Sequence, residues 1–166
     1  MFQGFSDWDY SERARKTIFL ARWISGQRGS SVIEMDDLIT ALLKEDQGGF
    51  ATELSAIPQF QHFKAPSHKA YIETGVANDL LRQIDADLPH SKPLPLDAEI
   101  PLSPAVKEAL GKAGEVLSAH SGKQLGPLHL LAGALSTEHP SKALRLLREA
   151  GINETKVLEE IKREAA

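Results

Sequence analysis

The chain repeats itself. Moving it 92 positions along its own sequence lays Ser11 on Ser103 and needs no gap for about 40 residues. Ala14 then falls on Val106, Ile18 on Leu110, Ala21 on Ala113 and Ile24 on Val116. Further on, Ile33 meets Leu125, Leu38 meets Leu130, Leu43 meets Leu135 and Leu54 meets Leu146. The matched positions are apolar and helically spaced, whereas the mismatches are mostly polar. Two copies of one core produce this pattern. A duplicated core restricts the architectures open to the chain, because each half must be able to pack against a near-copy of itself.

Each copy reads as helices. In the second, Ser103 is a suitable N-cap and Pro104 suits the first helical position, where a missing N–H costs nothing. Val106, Ala109, Leu110, Ala113 and Leu117 follow helical spacing, and Gly122 is expected to close that helix in a left-handed turn. A short helix follows from Pro127 to about 136. A third runs over about 140–150 and stops at Gly151, and a fourth is capped by Asn153 and carries Val157, Leu158 and Ile161. The first copy gives helices at about 11–25, 35–45, 49–56 and 75–85. No segment alternates with period two for long enough to read as a strand. The expected fold is all-α, two pseudo-symmetric four-helix repeats within a single domain spanning 1–166. Repeat one covers 11–85, interrupted by an aromatic and proline-containing insertion at 57–74. A proline-rich linker follows at 86–101, and repeat two covers 102–163.

Composition narrows the function classes. Hydrophobic residues make up 42% and charged residues 25%, as in an ordinary water-soluble globule. No apolar run approaches the roughly 20 residues that span a bilayer. The first 16 residues place acids before their basic cluster and lack an apolar core, so a signal peptide is not expected. The absence of cysteine removes disulfides and thiolate metal sites and fits a reducing cytoplasm. A net charge of −4 argues against a nucleic-acid binder.

"YSERARKTIFLAR" and "EIPLSPAVKEAL" resemble the two helix openings of the N-terminal domain of Clp AAA+ unfoldases of the ClpA and ClpC type, and "GPLHLLAGAL" resembles that family's "GTEHLLLGLL". The resemblance covers about 11–56 and 99–163, and the segment 57–74 departs from it. It implies a non-catalytic protein-binding module of the Clp unfoldase and protease system. The partners implied are Clp ATPase or Clp protease subunits, adaptor proteins or client proteins, with no nucleic acid, no membrane and no cofactor. The motor itself is not encoded here. Gly111-Lys112 and Gly122-Lys123 are followed by Ala113 and Gln124, and the first glycine of a P-loop would fall on Val106 or Leu117.

The resemblance also implies a ligand pocket in each repeat, since some ClpC-type domains hold phosphorylated arginine between a hydroxyl and an acid. In this sequence those positions pair Ser11 with Asp36 and Ser103 with Leu128, so only the first pocket keeps its carboxylate. A guanidinium needs that carboxylate, while a hydroxyl and helix N–H groups suit a phosphate. Both serines also serve as ordinary N-caps.

His129 stands in an apolar run where the first copy has Asp37; a position that accepts either suggests a polar group bonded to local backbone. Phe19 and Trp23 lie four residues apart on one helix, off its repeated face, and their counterparts are Gly111 and Glu115. They are expected either to be covered by Phe60, Phe63 and Tyr71 of the insertion or to form a partner surface. Asp36, Asp37, Glu45 and Asp46 bracket a short helix and read as caps and dipole partners. Two enzyme-like or binding alternatives stand beside these readings. One is a small hydrolase or metal-binding protein using His62 and His68, which lack the i, i+4 spacing of a helical metal site. The other is a helix-turn-helix reader built on Arg13, Arg15, Lys16, Arg22 and Arg28. No enzyme and no metal are expected: the sequence holds no G-x-S-x-G elbow, no H-E-x-x-H and no cysteine nucleophile.

Overall fold

In a computed structural model, the described residues are 9–54, 57, 68–86, 88–120 and 122–165. Among them are eight helices: α1 (Glu12–Gln27), α2 (Met35–Asp46), α3 (Phe50–Glu53), α4 (Thr74–Ala86), α5 (Pro104–Ala119), α6 (Pro127–Leu135), α7 (Lys142–Glu149) and α8 (Glu154–Ala165). The starts of α5, α6 and α7 fall 92 positions after those of α1, α2 and α3. Helix α8 begins only 80 positions after α4, because repeat two lacks the insertion. The fold is all-α and built from two four-helix repeats.

Local chemistry repeats along with the helices. Ser11 and Ser103 cap α1 and α5 with nearly the same backbone, φ −66° and ψ 162° against φ −66° and ψ 160°. Each hydroxyl accepts from the amide three residues on, Ala14 at 3.1 Å and Val106 at 3.2 Å. Asn153 caps α8 through its Oδ1, which accepts from Lys156 N at 3.0 Å.

The repeats hold each other by an exchange. Tyr10 pairs with Leu125, and Leu102 pairs with Ile33, as two isolated parallel bridges. Ser11 N donates to Leu125 O at 3.0 Å and Leu125 N to Asp9 O at 2.8 Å; Ser103 N donates to Ile33 O at 3.0 Å and Ile33 N to Pro101 O at 2.8 Å. Each of these bonds maps onto its mate by the same 92-residue shift. The chain ahead of each repeat's first helix is therefore stitched to the residue ahead of the other repeat's second helix, and one continuous core forms between them.

Two expectations change at helix ends. Gly122 does not adopt a left-handed conformation; positive φ occurs at Gly29, Gly48 and Gly151. Helix α5 instead ends with His120 N bonded to Val116 O and Leu117 O at 3.2 Å each. A Cβ at 122 would stand 2.5 Å from Leu117 Cδ1, the end of a side chain that can turn aside. The helix expected over 49–56 is shortened to Phe50–Glu53, because Leu54 leaves helical geometry and Ile57 N turns back to Leu54 O at 3.0 Å. Burying both Leu54 and Ile57 rewards that turn.

The proline-rich segment after α4 is bound down as a strap. Leu94 N donates to Gly26 O at 2.9 Å and Ser91 N to Arg28 O at 2.8 Å. Arg22, buried on α1, aims Nη2 at the carbonyls of Pro95, Leu96 and Ala98. Gly29 permits the close approach: its φ is 74°, and a Cβ there would meet Lys92 O at 2.5 Å.

Candidate functional site

Four acids on α2 are its points of attachment. Asp36 Oδ1 accepts from Ser141 Oγ at 2.8 Å and Ala143 N at 3.0 Å, so it caps α7 of the other repeat. Asp37 takes a bidentate bond from Arg28, its Oδ1 and Oδ2 each 2.7 Å from Nη2, and its Oδ2 also accepts from Glu34 N at 2.9 Å. Glu45, fully buried, accepts from Arg13 Nε at 2.8 Å and Nη2 at 2.9 Å. Asp46 accepts from Tyr71 N at 2.8 Å and Ile72 N at 3.0 Å and so ties the end of the insertion to the bundle. Burial pushes the Asp37 carboxyl above its ordinary range, and the bonds from Arg28 and Glu34 only partly oppose it. The sequence offered one signal for these roles. Glu45 falls in the apolar phase set by Leu38 and Leu42, where a charge must find a buried partner.

His129 is a structural residue with one specific task. Its Nδ1 accepts from Gly126 N at 2.9 Å, as Asp37 does from Glu34 N in the other repeat. Gly126 has no side chain, so only this half of a capping box exists at α6.

The two ligand pockets do not assemble as expected. Arg13, at the start of α1, pairs with Glu45 at the end of α2, and Arg28, at the end of α1, pairs with Asp37 at the start of α2. Ser11 and Asp36 therefore lie at opposite ends of a helix about 24 Å long. The exchange between repeats moves Ser11 to the end of α6 that carries Leu128, and Ser103 to the end of α2 that carries Asp36. Ser103 is buried, and its hydroxyl serves Val106 N.

The remaining candidates separate in the same way. His68 Nε2 lies 3.0 Å from Asp46 O, and His62, Phe60 and Phe63 lie outside the described residues. Among the described residues no three His, Asp or Glu side chains are arranged to hold a metal ion. The basic face of α1 is spent inside the molecule: Arg13, Arg22 and Arg28 bind Glu45, the strap carbonyls and Asp37. Arg15 lies 3.8 Å from Asp9 and Lys16 3.5 Å from Glu12.

Trp23 is where the repeats differ on the surface. It and Phe19 are half-buried against the core. Trp23, Ile24, Leu81 and Leu88 line a groove of about 380 Å³ between α1, α2, α4 and the strap. Its rim is polar: Lys44 pairs with Glu53, Arg82 with Asp79, and His90 Nε2 lies 3.5 Å from Asp85. Arg28, at its base, also donates to Pro89 O at 3.3 Å. Repeat two carries an exposed Glu115 where repeat one has Trp23.

Solved structures share this fold. The chain matches the N-terminal domain of the caseinolytic protease associated chaperone ClpD from Arabidopsis thaliana at 15% identity and TM-score 0.61, over 95% of this chain and 97% of that one. It has the Clp N-terminal-domain fold. The Hsp104 N-terminal domain from Candida albicans matches at 18% identity and TM-score 0.60, over 95% of this chain and 89% of that one. A structure from work on a malarial protein secretion system matches at 19% identity and TM-score 0.68, over 95% of each chain. No protein-family model and no curated protein matches the sequence. Among the described residues, no helix of this Clp-type domain is long and apolar enough to cross a membrane.

Proposed function

We propose that this chain is a non-catalytic, cytoplasmic docking module of the Clp unfoldase and protease system. It binds clients, adaptors or Clp ATPase or protease subunits through the groove around Trp23. The observation that carries this reading is the contrast between the repeats: the shared frame does without an aromatic at this position in repeat two, yet repeat one keeps one beside a groove open to solvent. Half-buried tryptophan in a concave, apolar-floored site is a strong source of binding energy. Trp23, Ile24, Leu81 and Leu88 make the lining largely apolar, so apolar side chains of the partner supply the drive. Phosphorylated arginine, one client signal implied by the resemblance, keeps the acid of that family's motif only at Asp36, which already serves α7; we therefore place the main contact at Trp23.

The test is affinity capture from native cytosol, with and without ATP, comparing the wild-type chain with Trp23→Glu, which installs the residue of repeat two. Wild type is expected to retain Clp subunits or their clients, and Trp23→Glu to lose them while its circular dichroism is unchanged. Equal retention by a folded Trp23→Glu would remove the groove from the reading. Failure of wild type to retain either class would leave the fold alone.

A further inference from the structure

The 92-residue shift that superposes the repeats places His120 on Arg28 and His129 on Asp37. Repeat one thus closes the junction between its first and second helices with a buried ion pair, and repeat two fills the same two positions with imidazoles. His129 Nδ1 accepts from Gly126 N, so in this arrangement the neutral ring carries its proton on Nε2. His120 Nδ1 lies 2.9 Å from Val116 O and holds the end of α5. Both rings line a cleft of about 210 Å³, together with Arg13 from α1 and Glu164 from α8. Asp46 of α2 reaches the far side of the same helix start, at Pro127 and Leu128, and Lys123 lies exposed in the loop leading to it.

We propose that His129 is a proton-operated latch on the junction between the repeats. Neutral, its Nδ1 closes the start of α6 beside Leu125, which is stitched to Asp9 and Ser11 of the other repeat. Protonated, Nδ1 becomes a donor facing a donor, the Gly126 amide loses its acceptor, and a positive charge sits at the positive end of α6. Arg13 and His120 oppose that charge from one side of the cleft. Glu164 favours it from another, but a carboxylate on α8 does not replace the acceptor that Gly126 N has lost. Repeat one closes the same junction without an imidazole: Asp37 accepts from Glu34 N and from Arg28.

The pH window follows from the same contacts. Burial first, and the nearby His120 second, lower the His129 pKa from its ordinary value of 6.5. The unfolded chain then binds a proton more readily than the folded one, so stability is complete above pH 6.5 and is lost as pH falls through the folded-state value. One proton limits the effect to at most a tenfold rise in the unfolding constant per pH unit.

The experiment measures amide exchange at Gly126 and Leu125 at pH 7.5 and 5.5, corrected for intrinsic exchange, in wild type, His129→Asn and His129→Asp. Asn supplies an acceptor that does not titrate in this window, and Asp installs the group that repeat one uses at the same position. Wild type is expected to lose protection at Gly126 on acidification, and both variants to hold it. An unchanged wild type, or the same loss in a folded variant, would overturn the latch. Imidazole nitrogen shifts of wild type decide the matter if neither variant folds. An unprotonated Nδ1 at pH 7.5 that titrates below a free imidazole supports the latch, and any other result refutes it.

Discussion

Gly133 and Gly111 sit on two helices packed against each other, and alanine should act on them with opposite sign. Gly133, in the middle of α6, faces the backbone of α5. A Cβ added there would stand 2.6 Å from Ala113 N, 3.0 Å from Ala113 Cα and closer still to Ala109 O. An ordinary contact needs about 3.4 Å or more, and none of these neighbours is the end of a side chain that could swing aside. The two helices would have to separate by most of an ångström along a fully buried seam that includes Ala109, Ala113 and Leu130. Overpacking of this kind costs about 3 kcal/mol at the upper end of its usual range. Alanine recovers about 1 kcal/mol of helix propensity, so Gly133→Ala should lose a net ~2 kcal/mol. For a chain of this size that is a fall in Tm of about 4–8 °C. Gly111 on α5 is exposed, with nothing within 4 Å of the added carbon. Gly111→Ala should therefore gain up to about 1 kcal/mol, a rise of about 2–4 °C. Urea and thermal unfolding of both variants read the two signs directly. A neutral or stabilised Gly133→Ala would refute the close seam between α5 and α6. A destabilised Gly111→Ala would refute its placement on the open face.

Three further outcomes are expected. Arg13→Ala strands the fully buried Glu45 without its partner and should cost about 3 kcal/mol, the low end for a broken buried pair because Arg13 is itself 34% exposed. Adding Glu45→Thr should recover most of that loss in urea unfolding, since repeat two holds Ala105 and Thr137 at the same positions. Asp36→Ala removes the acceptor shared by Ser141 and Ala143 and should cost about 1–2 kcal/mol without any ligand present, whereas Asp36→Asn should cost less. Arg22→Met leaves three strap carbonyls without their donor, and amide exchange at Ser91 and Leu94 should accelerate at least tenfold while α5–α8 stay protected.

The apolar frame was legible because helical spacing and the 92-residue repeat describe the same core twice. Ser11, Ser103, Asn153 and Gly151 could be read as helix ends for the same reason: capping is a local interaction. His129 and Asp37 were readable as one position, since both supply an acceptor three residues into a helix. The pairing of Ser11 with Asp36 failed because it assumed that each repeat folds on itself. The exchange of leading segments is carried by backbone bonds such as Ser103 N to Ile33 O, and backbone bonds leave no mark on side-chain pattern. The attachments of Asp36 and Arg22 escaped for a related reason. Their partners lie 105 and 73 or more residues away and are a hydroxyl, an amide and carbonyls, groups that any sequence offers everywhere.

A buried ion pair contributes little net stability, because removing two charges from water cancels most of their attraction. The presence of Arg28 and Asp37 in one repeat, with histidines in the other, therefore needs a reason other than stability, and position supplies one. Arg28 donates to Asp37 on one side and to Pro89 O on the other, so the pair is the surface on which the strap lands. Leu88 and His90 flank that contact and form one wall of the Trp23 groove. A neutral imidazole at position 28 could donate to a single acceptor and would have to give up either the aspartate or the strap. Ion pair, strap and groove are then one unit of repeat one. In repeat two His120 and His129 line a cleft at the same positions, and there a change of protonation at His129 can change what it holds.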